Sequence, residues 1–241
     1  MYQEIKPSRE IGNTIDTFWT FSKNNSKERV KVLPDTCTDL IFDLKRNRAF
    51  LSGIMTQYQD RELMAESALI GVRFKIENFG ALTKIPLHET KDLRLELSEV
   101  LPTQKRTSLN QLQDLGTITD KIAFLENFIA TSYKENLQRQ DQMVVSVAEK
   151  IRALKGIVHI GELAKSYPIG LRQLERRFKS YIGLTVKEFS NMVRFNNAKK
   201  SIANFSKSSL LEIAFDMGYF DHAHMTHEFL RISGENPSFF R

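Results

Sequence analysis

A single cysteine, Cys37, occurs in 241 residues. That scarcity excludes an intramolecular disulfide and any thiolate-rich zinc site, and it agrees with a reducing compartment. No apolar run approaches the roughly 20 residues that span a bilayer, and the start, "MYQEIKPSRE", lacks the apolar segment of a secretory signal. A cytoplasmic location with no membrane partner is expected. Tryptophan is as scarce, since Trp19 in "TFWTF" stands alone, where packing in a core is the stronger reading. No nucleophile lies at a working spacing from a base, and no ligand spacing suggests a metal. The chain therefore reads as no enzyme, with no catalytic residue, cofactor or metal.

Hydrophobic residues make up 41% and charged residues 27%, the ordinary balance of a folded globular protein. The length suits one large domain or two of ordinary size. The net charge of +6 is uneven: residues 1–140 hold 20 basic and 19 acidic side chains, residues 141–241 hold 15 and 10. The basic excess lies in the last hundred residues, where it would attract a polyanion such as nucleic acid.

The first third reads as strands. "ERVKVLP", "TDLIFDL", "AFLSGIMTQY" and "ALIGVRFKI" are short and rich in Val, Ile, Leu and Phe, with turn-prone "PDTC" and "KRNR" between them, and "KDLRLEL" alternates apolar with polar. From Thr119 the period changes. Ile122, Leu125, Phe128 and Ile129 recur at helical spacing, and the polar run "KENLQRQDQ" that follows reads as a hinge.

Beyond Asp141 nearly everything reads as helix. "QMVVSVAEKIRALKG" sets Met143, Val144, Val147, Ile151 and Leu154 on one face, with Gly156 at its end. Two similar units come next, "HIGELAKSYPIGLRQLERRFKSYIGLTVKEF" and "LLEIAFDMGYFDHAHMTHEFLRISGENPSFF". Leu163-Ala164 pairs with Ile213-Ala214, Leu174 with Met225, Phe178 with Phe229, Gly183 with Gly234 and Phe189 with Phe240, always 50 or 51 residues apart. A repeated unit of this kind suggests two helix-turn-helix modules. The helix that joins them would be capped by Thr185 and Glu188 and buried through Met192, Phe195, Ala198, Ile202 and Phe205; Ser209 and Glu212 offer a second capping box. The fold class is α+β: a β-rich N-terminal domain over 1–118, a connecting helix and linker over 119–140, and an all-α domain over 141–241.

Helical projection separates what each second helix buries from what it presents. In the first module Leu171, Leu174 and Phe178 face inward, and Arg172, Arg176 and Lys179 lie opposite, flanked by Gln173 and Glu175. Guanidinium groups placed so can grip guanine O6 and N7 or phosphate; the plainer alternative is a solvated face. In the second module Met225, Phe229 and Ile232 face inward. Ala223, His227 and Leu230 point outward, bordered by His224, Thr226 and Arg231, with His222 nearer the core edge. His222 and His224 diverge by roughly 160°, so they cannot share a metal. His224, His227 and Glu228 have better spacing for one but lack a fourth ligand. An exposed helix gives these imidazoles no cleft for acid-base work, so contact with bases or phosphates is the stronger reading.

At these residues the chain resembles the AraC-type (AraC/XylS) transcription regulators. The likeness lies in "EIAFDMGYFDHAHMTHEFLRISGENPSFFR" and in the matching "LAKSYPIGLRQLERRFKSYIGLTVKEFSNMVRF", and it covers roughly 141–241. It implies that Arg172, Glu175 and Arg176 read bases in one major groove, and that His222, Ala223, His224, Thr226 and His227 occupy the contact positions in the next, about 34 Å away. The sequence also departs from the family: Gly170 replaces a common serine cap, Val186 a proline, His227 an arginine, and Leu230 a cation. The last two weaken the phosphate grip of the second module. "FWTF", "LPDTCTDLIFDL", "SGIMTQ" and "GVRFKI" resemble a β-rich domain found ahead of such modules, which implies sensing or dimerisation.

The expected function is sequence-specific DNA binding by a transcription regulator, activator or repressor. Its expected partners are promoter or operator duplex DNA, RNA polymerase, a small-molecule effector in the N-terminal domain, and a second copy as homodimer, through the helix at 119–133 or its domain. The rivals are an N-terminal enzyme domain and an alkyl-acceptor or redox-responsive protein using Cys37. Asp35 and Asp39 beside that thiol oppose its ionisation. Arg73 could bind a carboxylate or form an ion pair, and His88 and His159 are assigned no role.

Overall fold

The computed structural model describes residues 1–23, 28–83, 85–204 and 208–241. Strands fill the N-terminal third: β1 (Tyr2–Ile5), β2 (Ile15–Lys23), β3 (Glu28–Val32), β4 (Cys37–Asp43), β5 (Arg48–Ser52), β6 (Gln59–Leu63), β7 (Ser67–Lys75) and β8 (Arg94–Glu96). Six make an antiparallel sheet in the order β1-β2-β7-β4-β5-β8, while β3 and β6 pair separately. Strand β7 is central, so it needs apolar residues on its covered face: Ile70, Val72 and Phe74 are fully buried there beside Phe18, Leu40 and Phe42. On the opposite face Trp19 lies across Gly71, where a Cβ would come within 1.9 Å of the indole, so this strand position requires glycine. The indole N–H donates to Asp39 at 2.7 Å, and Asp39 also pairs with Arg73 at 3.3 Å. Arg73 is thus an ion-pair residue, shared with Glu4 at 3.7 Å.

The expected strands differ from the observed ones in length. "GIMTQY" leaves the sheet after Ser52, and in "KDLRLEL" the strand is only Arg94–Glu96. The physical reason is local: Glu96 and Glu99 form a capping box that starts a helix at Leu97. Strands β1, β2 and β6 complete the set.

The short helices α1 (Ile76–Phe79), α2 (Leu97–Val100) and α3 (Thr103–Asn110) precede α4 (Ile118–Asn136). Leu125 and Ile129 are buried on α4, whereas Ile122 and Phe128 are only half-buried. The polar run expected as a hinge stays helical to Asn136 and then makes a 3-10 turn, Leu137–Arg139. Asn136 and Gln140 are buried there by hydrogen bonds, Gln140 donating to Asn78 at 2.9 Å.

Two compact units result: Met1–Val30, Cys37–Ile54 and Arg61–Asp141 form one; Lys31–Thr36, Met55–Asp60 and Gln142–Arg241 form the other. The second contains α5 (Gln142–Ala153), α6 (Ile160–Lys165), α7 (Leu171–Ile182), α8 (Val186–Asn204), α9 (Leu210–Asp216) and α10 (His222–Ser233). Within it Arg152 donates twice to Thr36, at 2.9 Å to the hydroxyl and 2.9 Å to the carbonyl. Thr36 has φ 65°, a rare conformation for a β-branched residue, which this clamp holds. Tyr58 N–H donates to the Ile232 carbonyl at 2.9 Å, and Lys31 pairs with Glu235.

Leu154 was expected inside, yet it is exposed, because α5 ends at Ala153 and the chain turns through Lys155 (φ 54°) and Gly156 (φ 78°). The expected position of Phe205 lies outside the described residues. The rest of the α8 stripe, Met192, Phe195, Ala198 and Ile202, is buried.

Candidate nucleic-acid interface

Both modules are built to one plan. Leu163-Ala164 and Ile213-Ala214 are buried on the first helices, Leu174 and Phe178 match Met225 and Phe229 on the second, and Gly183 and Gly234 end those helices at φ 89° and 72°. In the second module the rings of Phe195 and Phe229 lie 4.7 Å apart, with Phe240 against both. The first is closed by Phe178 and Phe189 at 5.5 Å. Capping boxes start α8, through Thr185 and Glu188, and α9, through Ser209 and Glu212. Hydrogen bonds from the Ser209 backbone and hydroxyl hold the Glu212 carboxyl below its ordinary range.

Burying Leu174, Phe178 and Ile182 turns the other side of α7 outward: Arg172, Gln173, Arg176 and Lys179 are exposed and Glu175 is half-buried. Leu171 was expected in the core but is 42% exposed, because the first turn of α7 reaches past it. Gly170 caps this helix with no side-chain bond; its carbonyl accepts from Gln173 and Leu174 at 3.0 Å each. The α7 face is a row of cations able to meet phosphate oxygens or guanine edges.

On α10, His222, Ala223, His224, His227 and Arg231 are exposed and Thr226 is half-buried. His222 thus stands in solvent at the helix start, away from the core edge where projection set it. Thr226 donates to the His222 carbonyl at 2.9 Å. Asp221, which sequence reasoning passed over although Asp before a helix is a capping signal, accepts from the His224 N–H at 2.7 Å. The His224 ring packs edge-on against Tyr219 at 5.4 Å, and its Nδ1 accepts from the Phe220 N–H at 3.3 Å. Its Nε2 is then the donor. Phe220 is 84% exposed beside it, and Leu230 is 43% exposed further along.

Spacing groups Glu228 with His224 and His227, but the fold turns it the other way. Its carboxylate turns inward and accepts from Arg194 of α8 at 2.8 Å and from the Tyr219 hydroxyl at 2.7 Å, under a guanidinium stacked 4.3 Å from the Tyr219 ring. It is unavailable to a metal with His224 and His227, and among the described residues no group of three such side chains is placed to hold one. Burial lowers the Arg194 pKa, but bonding to and the charge of Glu228 outweigh it and leave it raised. Burial and then the Glu228 charge push Tyr219 far above its ordinary range. The cluster ties α10 to α8 and so fixes the pose of the exposed face.

Cys37 is buried at the start of β4. No helix among the described residues is long and apolar enough to cross a membrane.

Residues 3–96 match the model of a "Domain of unknown function (DUF6597)", and residues 163–241 match that of a helix-turn-helix domain. No curated protein matches the chain. Solved structures of ToxT from Vibrio cholerae are similar to it. An apo variant is 14% identical over 100% of this chain and 95% of that one, with a TM-score of 0.43. ToxT bound to an unsaturated fatty acid is 14% identical over 92% of each chain, with a TM-score of 0.44. ToxT bound to (E)-4-(8-methylnaphthalen-1-yl)but-3-enoic acid is 12% identical over 99% and 96%, with a TM-score of 0.45. The duplicated motif and the match over 163–241 carry one assignment: the chain has a helix-turn-helix domain in its C-terminal part, behind an N-terminal domain of unknown function.

Proposed function

We propose that the chain regulates transcription by reading two successive major grooves of a promoter or operator, α7 in one and α10 in the next. The observation that carries this reading is the pair of equivalent helices, each with one face buried and the other open. On α7, Arg172 and Arg176 take base edges with Glu175 and Gln173, and Lys179 meets phosphate. On α10, His222, His224 and His227 serve as donors, Ala223 and Thr226 contact bases, and Arg231 meets phosphate. The part over 1–118 senses an effector or dimerises, 119–140 connects, and 141–241 binds DNA, with RNA polymerase as a further partner and no enzyme activity. That segments 31–36 and 55–60 pack within the DNA-binding unit supports regulation through the N-terminal part.

The test selects duplexes bound by the full chain from a random pool and measures affinity against salt. A preferred sequence and a fall in log affinity with log salt are expected. Arg176→Ala should cost about 1–3 kcal/mol and relax preference at one base pair. Binding that is absent, or present with no preference at any salt, would refute the reading.

A further inference from the structure

The turn that leads into α10 carries an aromatic ring that the core does not use. After Gly218 (φ 71°) the two aromatic residues part: Tyr219 turns inward and is 3% exposed, whereas Phe220 is 84% exposed. Both neighbours of Phe220 are pinned. The Tyr219 hydroxyl donates to Glu228 at 2.7 Å, and Asp221 caps the helix by accepting from the His224 N–H at 2.7 Å. The Phe220 ring is therefore held in solvent and forgoes the burial that an aromatic side chain normally gains.

His224 is fixed by the same turn. Its ring packs edge-on against Tyr219 at 5.4 Å, and its Nδ1 accepts from the Phe220 N–H at 3.3 Å, which leaves the one imidazole N–H at Nε2. An imidazole held by two contacts presents a single donor in a set direction. The chemistry on offer is thus an apolar disc and one N–H donor, tied together through the Phe220 backbone. The Asp221 carboxylate in this turn repels a phosphate, so the pair suits a base edge better than the DNA backbone. In the major groove the apolar group on a base edge is the thymine 5-methyl, and purine N7 accepts from a single donor.

We infer that Phe220 packs on a thymine 5-methyl group and that His224 donates from Nε2 to a purine N7 in the same half of the DNA site. Phe220 thereby becomes a specificity-determining residue that lies outside the helix itself. Tyr219, Glu228 and Arg194 act behind it as positioning residues, because the guanidinium holds the carboxylate that holds the Tyr219 hydroxyl. The inference rests on the groove reading proposed for α10 and names what is read at the start of that helix.

The test takes the duplex selected by the full chain from a random pool and replaces each thymine in turn by uracil, which lacks only the methyl, and each purine by its 7-deaza analogue, which lacks only the N7 acceptor. Affinity is measured for the parent, Phe220→Ser and His224→Phe. At one thymine, uracil should weaken the parent about 4-fold, the contribution of one buried methyl, and Phe220→Ser should bind the thymine and uracil duplexes alike. At one purine in the same half of the site, the 7-deaza analogue should weaken the parent about 2- to 10-fold, and His224→Phe should erase that difference. Both side chains are exposed, so both variants should keep the parent's Tm. If the parent binds with sequence preference but no uracil effect is removed by Phe220→Ser, or no 7-deaza effect by His224→Phe, the inference is overturned and groove reading stands. If the parent shows no sequence preference, both are overturned.

Discussion

Removing Glu228 should damage the second module more than its position on the helix suggests. The side chain is 5% exposed and that of Arg194 is 13% exposed, so Glu228→Ala strips the counter-charge from a cation that cannot turn to water without unpacking α8 from α10. Breaking a buried pair on one side costs about 3–5 kcal/mol. The Tyr219 hydroxyl also loses its acceptor, worth about 1–3 kcal/mol. A net cost of at least about 3 kcal/mol follows. Replacing both partners, as in Arg194→Met with Glu228→Leu, removes the charge along with its partner and should recover all but about 1–3 kcal/mol, the cost of the Tyr219 hydroxyl left without its acceptor. Urea titration followed by helical circular dichroism gives the answer, with fluorescence of Trp19, the only tryptophan, as a simultaneous probe of the other unit. With a slope of about 1–3 kcal/mol per molar urea, the helical midpoint should fall by at least about 1 M in Glu228→Ala. A cost below about 1 kcal/mol, or a double variant as weak as the two single losses added together, would refute the reasoning.

Two further outcomes follow from burial. Gly156→Ala would put a Cβ 2.3 Å from the Ser190 carbonyl oxygen at φ 78°, so it should cost about 2–4 kcal/mol in the same titration, whereas Gly116→Ala meets nothing within 4 Å and should stay within about 0.5 kcal/mol. Cys37, 7% exposed, should react with an alkylating agent about 100-fold more slowly in the native chain than in urea, the factor for an opening free energy of ~3 kcal/mol; equal rates by mass spectrometry would revive the alkyl-acceptor alternative.

Where the sequence was legible, the determining interactions are close along the chain. A period of 3.6 residues places Leu174 with Phe178 and Met225 with Phe229 whatever the partner, and capping boxes such as Ser209 with Glu212 span three residues. The edges of each stripe were less secure. Leu171 and Leu154 have the right phase for burial, but one is in a first turn that overhangs the core and the other lies past the helix end. Strand β6, "QDREL", carries no apolar alternation and exists because β3 pairs with it.

The candidate interface divides along the same line. Which side chains leave the core on α7 and α10 follows from periodicity, so the cations of α7 and the histidines of α10 could be named from the sequence. Glu228 sits at the border of that projection, and its inward turn depends on Arg194, 34 residues earlier. The sequence by itself determined two helix-turn-helix modules and the faces they expose, because helix periodicity and capping are local. Only the tertiary structure decided that Glu228 is an internal tie and that Asn136 and Gln140 are buried in a run expected as a hinge, because burial and charge balance are set by residues distant in the chain.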